Sequence, residues 1–289
     1  MDNQFYKYHA LGNDYIVIDP NKTTVNLSEK NIQLICDRHF GIGSDGILYG
    51  PFLDESIMRL RIFNPDGGEA EKSGNGVRIF SRYLLEAGYL AESAFSLQTL
   101  GGMVGVELLD EKGTQIRVDM GKTTFWSADI PVAGQPREVK DELLQVNGRS
   151  LRVTCVSIGN PHCVVLCDKI SPEIVNELGP VLETMPCFPN RINVQFLKVL
   201  DRHNILIEIW ERGAGYTLAS GSSSCAAASA AYKLGLVDHA VKVHMPGGTL
   251  QIDIRPDGHV FMSGAVSSVA KGDFADDLWK RIDKHPLSI

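Results

Sequence analysis

The sequence predicts an α+β protein of two pseudo-symmetric lobes, each a mixed β-sheet wrapped around a central helix, with a ligand cleft between the lobes. Two observations carry that prediction. The first is internal repetition: EKSGNGVRIF (71–80) and ASGSSSCAAA (219–228) both read as glycine- or serine-rich helix starts, and they align at an offset of 147 that pairs Ser73 with Ser220. The same offset pairs GND (12–14) with GNP (159–161), Asn64 with Glu211, Gly88 with Gly235, and Gly101 with Gly248. Agreement at one offset over most of the chain marks a duplication. The second is that each half is strand-rich: short apolar, β-branched runs alternate with turn residues, and helical spacing is rare.

In the first half, DYIVID, MRLRIFN, MVGVELL and QIRVDMG suit strands. A helix is expected from Ser28, its N-cap, through EKNIQLICDRH. The helix after Ser73 places Val77, Phe80 and Leu84 on one face and stops near Gly88. In the second half LRVTCVSI, HCVVLC, INVQFLKV, ILIEIW, VKVHM and LQIDI repeat the strand pattern. The helix after Ser220 carries Ala226, Ala227, Ala228, Ala230 and Ala231, so little side-chain bulk that strands must enclose it closely. The boundary is expected within GKTTFWSADIP, giving an N-terminal lobe of residues 1–122 and a C-terminal lobe of 123–267. The tail 268–289, with FADDLWKRIDKH, is expected to return to the first lobe.

Composition narrows the partners. With 289 residues, 44% hydrophobic and 22% charged, the chain is ordinary globular protein. Its 28 basic residues are scattered among 35 acidic ones, for a net charge of −7, which argues against nucleic acid and for a small-molecule ligand. The N-terminus MDNQFYKYHALGNDYIVID has no apolar signal core, and no run approaches the roughly 20 apolar residues of a membrane span. A cytoplasmic protein is expected, with its six cysteines reduced and the Asn26-Leu27-Ser28 glycosylation pattern idle. Cys163 and Cys167 lie in a strand-like run that suits core packing, and no histidine spacing suggests zinc, so no metal site is expected. Gly41–Gly46 fits G-x-G-x-x-G, but it follows a helical segment and precedes a strand, the reverse of a dinucleotide-binding turn.

The repeated helix start has a chemistry of its own. Unpaired N–H groups and the positive end of the helix dipole make it a site for an anion. Serine is a preferred N-cap on stability grounds alone; it is the repetition that turns the two caps into a candidate site. Two such starts facing each other across a pseudo-twofold axis would hold a carboxylate, with the capping residues on opposite sides of the bound molecule. That arrangement can remove a proton from one face of a carbon and return one to the other.

The motifs LGND, FNPDG, SGNG, GNPH, NRIN and ERGAG followed by SGS, in this order over nearly the whole chain, resemble those of the diaminopimelate epimerase family. The resemblance implies two α/β lobes like those of proline racemase and the phenazine-biosynthesis isomerases. It also implies inversion of an amino-acid α-carbon without pyridoxal phosphate or metal, hence no cofactor, and a possible homodimer. The family uses two cysteines, one as thiolate base and one as thiol acid; here those positions are Ser73 and Ser220. A helix N-terminus brings a thiol into a useful range, whereas a hydroxyl starts far more basic and needs an adjacent base. A Ser/Ser pair should therefore be a slow epimerase. Cys225, five residues into its helix, is expected to be core and no substitute.

By the same resemblance, Asn13, Asn75 and Asn160 line the reacting end, and Gly74, Gly221 and Ser222 cradle the α-carboxylate. Asn64, Asn193 and Arg212 grip the distal carboxylate, and Glu211 holds the distal ammonium near the active pair. His162 taken alone reads as a strand residue; within GNPH it matches the histidine beside the first catalytic position. Gly46 stands where some members have glutamine, and Tyr216 where others have glutamate. These departures, with the run Ser222-Ser223-Ser224, favour native serines over a double Cys→Ser exchange. Beside the leading reading, conversion of LL- to meso-diaminopimelate, stand three others: racemisation of another amino acid such as histidine, water loss from a hydroxylated amino acid, and amino-acid binding without turnover.

Overall fold

The structure is a computed structural model that describes residues 3–54 and 57–282; residues 283–289 of the expected tail lie outside the described residues. The chain divides into two compact units, Met1–Val118 with Gly264–Ile289, and Asp119–Ser263.

In the first unit, strands Gln4–Ala10 and Asn13–Ile18 form an antiparallel hairpin. Ile47–Asp54 joins Asn13–Ile18 in parallel, and Ile57–Phe63 pairs with Ile47–Asp54 antiparallel. Ile57–Phe63 is then flanked by the short antiparallel Glu69–Ala70 and by the parallel Ala94–Thr99, which leads into Gly102–Leu108. The sheet is mixed, as expected. Helix α1 (Glu29–Cys36) covers one face and α2 (Gly74–Glu86) the other, following the two-residue alternation of a strand. Ile16, Ile18, Ile47 and Phe63 thus join Ile32 and Ile35 of α1 in one core cluster. On the opposite face, α2 buries Val77, Phe80, Tyr83 and Leu84 against the inner strands.

The second unit repeats this plan element for element. Arg149–Ser157 and Pro161–Leu166 are the hairpin, Asn193–Asp201 joins in parallel, and Asn204–Glu211 follows antiparallel. Gly215–Thr217 and Ala240–Met245 flank that strand, and Gly248–Ile254 comes next. α3 (Pro172–Glu183) and α4 (Gly221–Lys233) take the places of α1 and α2. The registers repeat at an offset of 147: Ile16 pairs with Ile47 as Cys163 pairs with Val194, and Ile47 with Phe63 as Val194 with Trp210. α4 buries its small side chains from Ser223 to Ala231 and packs against six strands, which explains its alanines.

α1 is shorter than the expected helix, ending at Cys36 instead of running through His39. Asp37 turns out of the helix at ψ 127°, and its carboxylate accepts the N–H groups of His39 (2.7 Å) and Phe40 (2.6 Å). This local turn competes with helical hydrogen bonding. α3 has no counterpart in the strand-dominated expectation. It starts at Ser171, which accepts the Ile174 N–H, with Pro172 in the first turn.

Each sheet needs one further strand at its hairpin edge. In the second unit Glu142–Val146 pairs with Arg149–Ser157 just before it in sequence. In the first unit the strand beside Gln4–Ala10 is Ser267–Asp273, more than 250 residues away, continued by α5 (Asp276–Arg281). Phe274 is 1% exposed and packs against Phe5 and Trp279 at ring separations of 5.2 and 5.5 Å.

Candidate active site

In the first unit Ser73, Gly74 and Asn75 open α2, and Asn13 joins them through a bond to Asn75. Ser73 has extended backbone (φ −139°, ψ 114°), and its Oγ accepts the Gly76 N–H at 3.0 Å. Among the described residues nothing accepts from the N–H of Gly74 or Asn75, so two backbone donors stay open at the helix start. Gly12 and Gly159 take the same place in the two hairpin turns with φ of +88° and +95°, which no side chain adopts easily. The turns deliver Asn13 and Asn160.

A network of side chains fixes this end of the unit. Arg78, fully buried, donates to Asn75 Oδ1 at 2.8 Å; Asn75 Nδ2 donates to Asn13 Oδ1 at 3.0 Å; Asn13 Nδ2 donates to Asp45 Oδ2 at 3.0 Å. Arg38 closes the far end on Asp14 and Asp45 at 2.7 and 2.6 Å. Burial alone would raise the Asp14 carboxyl, but hydrogen bonds from Arg38 and Lys7 outweigh it and hold the group below its ordinary range. Asn64, at the turn after Ile57–Phe63, is exposed; its backbone bonds Gly67 and Gly68.

The second unit builds the matching end. Ser220 (φ −147°, ψ 129°) is 6% exposed, and its Oγ accepts the Ser223 N–H at 3.5 Å. The N–H groups of Gly221 and Ser222 are open like those of the first helix start among the described residues. Asn160 Oδ1 lies 2.9 Å from His162 Nε2, which places the imidazole proton on Nε2. Burial pushes His162 down to about 3; Gln195 opposes the shift without an aligned bond to Nδ1, and the Arg212 charge adds to it. His162 is therefore neutral near pH 7 and a weak base, and it serves Asn160 as a donor.

Asn193 stands beside His162 on the neighbouring strand and is buried. Its amide donates to the Pro161 carbonyl at 2.9 Å and accepts the Arg212 N–H at 3.0 Å, so it holds two motifs together. The Arg212 side chain is exposed and donates to the Asn190 carbonyl at 3.0 Å; among the described residues it meets no carboxylate. Glu211 accepts from Thr217 Oγ1 at 3.3 Å. Tyr216 donates to Glu208 at 2.7 Å; burial first, and that bond second, push its phenol up to about 12. Cys225 is buried, five residues past the cap. A surface cavity of about 420 Å³ in this unit, lined by Trp126, Ser229 and Lys233 among others, takes in none of these residues.

Two residues that motif reading passed over stand behind these caps, Tyr15 against the first directly and Gln195 against the second through Ser223. Tyr15 Oη lies 3.3 Å from Ser73 Oγ, and Gln195 Nε2 donates to Ser223 Oγ at 3.0 Å. The offset of 147 held the signal, since it pairs Tyr15 with His162 and Gly76 with Ser223.

The sequence profile described as Diaminopimelate epimerase matches residues 5–126 and 154–269. "Diaminopimelate epimerase 2" of Nostoc sp. (strain PCC 7120 / SAG 25.82 / UTEX 2576) is 53% identical over 277 residues, covering 96% of this chain and 97% of the relative. The diaminopimelate epimerase of Moorella thermoacetica is 42% identical over 277 residues, covering 94% and 99%. Among solved structures, a phenazine biosynthesis protein from Bacillus anthracis matches with a TM-score of 0.65 at 15% identity, over 95% of this chain and 99% of that one. A hydroxyproline epimerase from Agrobacterium vitis, with bound trans-4-hydroxy-L-proline, matches with a TM-score of 0.65 at 14% identity, over 94% and 90%. At such identities these two likenesses concern the fold, two α+β lobes each built on a central helix. The sequence matches span both halves of the repeat and go further: this chain belongs to the diaminopimelate epimerase family of isomerases.

Proposed function

We propose that the chain interconverts LL- and meso-diaminopimelate in lysine and peptidoglycan-precursor synthesis, slowly, with Ser73 and Ser220 at the two acid–base positions. The observation that carries this reading is the repeated helix start, a serine cap followed by two open backbone N–H groups, once in each unit. Two open donors at a helix N-terminus suit one carboxylate. The Arg212 guanidinium, unengaged by any carboxylate among the described residues, suits the distal one, because its planar fork can pair bidentately. Glu211 beside it supplies the charge for the distal ammonium. The reading calls on no cofactor: a proton leaves one face of the α-carbon and another arrives on the opposite face.

Hydroxyls make the reaction slow. The acid–base role supplies roughly 10²–10⁴-fold in enzymes generally, and an unassisted serine forfeits most of it. The test is the Ser73→Cys/Ser220→Cys double substitution, assayed by deuterium uptake at the α-carbon of LL-diaminopimelate. Exchange should rise by at least about 10²-fold over the serine chain. A double variant without exchange on either stereoisomer would sink the assignment. A homodimer belongs to the same proposal, and light scattering would report a mass near twice the monomer's 31.7 kDa.

A further inference from the structure

We propose that Tyr15 is a positioning residue for Ser73, its phenol hydroxyl donating to the serine oxygen and, by passing its proton to that oxygen, taking over the negative charge left when Ser73 gives a proton up. The inference rests on the reading of Ser73 as an acid–base position. A hydroxyl in that role needs help from a neighbouring group, and the structure places one. Tyr15 is 6% exposed, on the strand that faces α2, with Oη 3.3 Å from Ser73 Oγ. Its ring is seated by the absence of a side chain at Gly46, where a Cβ would stand 2.7 Å from Tyr15 Cε1. The departure at Gly46 and the reach of Tyr15 to Ser73 are thus one structural fact.

The internal repeat strengthens the assignment. At the offset of 147, Tyr15, Leu48 and Gly76 correspond to His162, Gln195 and Ser223. In the second unit those positions form a polar layer beneath the cap: His162 meets Asn160, Gln195 donates to Ser223 Oγ at 3.0 Å, and the Ser223 N–H reaches Ser220 Oγ. In the first unit Leu48 and Gly76 make that layer apolar; a Cβ on Gly76 would lie 3.0 Å from Leu48 Cδ2. Tyr15 is what remains there of the polar layer, and it meets the cap oxygen directly.

The proton accounting is simple. When Ser73 protonates the α-carbon, its O–H bond breaks, a C–H bond forms from the carbanion's electron pair, and the O–H pair stays on Oγ as an alkoxide. That oxygen accepts from the Gly76 N–H, and the Tyr15 phenol, the stronger acid of the two hydroxyls, passes its proton to Oγ and keeps the negative charge as phenolate. In the reverse step Oγ takes the proton from the α-carbon while its own returns to the Tyr15 phenolate, so both hydroxyls end as they began.

The experiment compares five proteins, the unmodified chain, Y15F, S73C, S73C/Y15F and S73C/S220C, by α-deuterium exchange and by kcat and KM on diaminopimelate. Phenylalanine keeps the ring and removes only the hydroxyl. In the serine chain Y15F should lower kcat about 10- to 100-fold, the worth of one hydrogen bond to a charged oxygen, with KM within about twofold. In the S73C background the loss should be under about threefold, because a thiolate bears its charge without a second donor. Equal losses in both backgrounds, or none in the serine chain, overturn the proposal. If the serine chain shows no exchange while S73C/S220C does, the proposal fails and the slow turnover of the serine chain fails with it, while the assignment of the site to diaminopimelate stands. If S73C/S220C is silent as well, both fail.

Discussion

His162 is buried and neutral where its counterpart in the first half, Tyr15, carries a hydroxyl, and that difference can be read by titration. Folded His162 lies at about 3 against an ordinary 6.5. Above pH 6.5 it is neutral in both states and contributes nothing to pH dependence. Below that, the unfolded chain takes up a proton the native one refuses, so stability falls as pH drops toward 3. Between pH 6.5 and 5 the loss is about 2 kcal/mol. Urea titrations at pH 7 and 5 should show His162→Gln losing less stability than the parent over that interval; equal losses would mean the imidazole titrates normally. Arg212 makes a second prediction. In the S73C/S220C background, Arg212→Ala should raise KM for diaminopimelate about 10- to 100-fold, and Arg212→Lys should recover little of it, since an ammonium cannot pair bidentately. An unchanged KM would remove Arg212 from the site. At this scale the caps were legible because helix starts follow local rules. Asn13 bonded to Asp45, Asn193 bonded to Pro161, and Tyr15 beneath Ser73 were not, because the first two depend on pairing between distant strands and the third on the seating of α2 against its sheet.

Among elements, the strands announced themselves by alternation, and α2 and α4 by their caps and the glycines that end them. α3 did not. Pro172 and Pro180 read as breakers, and only the position of Ser171-Pro172 at a helix start makes the first of them compatible with a helix. The strand Ser267–Asp273 was equally hidden: it is polar and mostly exposed, and its identity comes from the edge it covers. The segment beyond this strand is anchored firmly. Phe274→Ala would open a cavity among Phe5, Trp279 and the α1 cluster, costing about 3–5 kcal/mol, measured by thermal or urea unfolding. A cost below about 1 kcal/mol would show that the tail is only loosely held.

For the molecule as a whole, duplication explains why one offset maps strand on strand, helix on helix and even cross-strand register on register. It was legible because turn glycines and caps survive where ordinary surface positions drift. The asymmetry between the halves was not: the second unit draws its outer strand from the segment just before its hairpin, the first from residues 267–273. Ending the chain at Ala265 should therefore strip amide-exchange protection from Gln4–Ala10 and its neighbours while Asp119–Ser263 keeps its own. Uniform loss across both units would refute that independence.

The same asymmetry sets an order of events at the ribosome. The later-made half can close as soon as its contiguous stretch has emerged, whereas the earlier-made half must wait with the backbone of Gln4–Ala10 unsheathed until residues 267–273 arrive. A bare strand border of that kind invites a stranger's strand. Nascent chains stalled short of this point should be the ones that chaperones hold and proteases find.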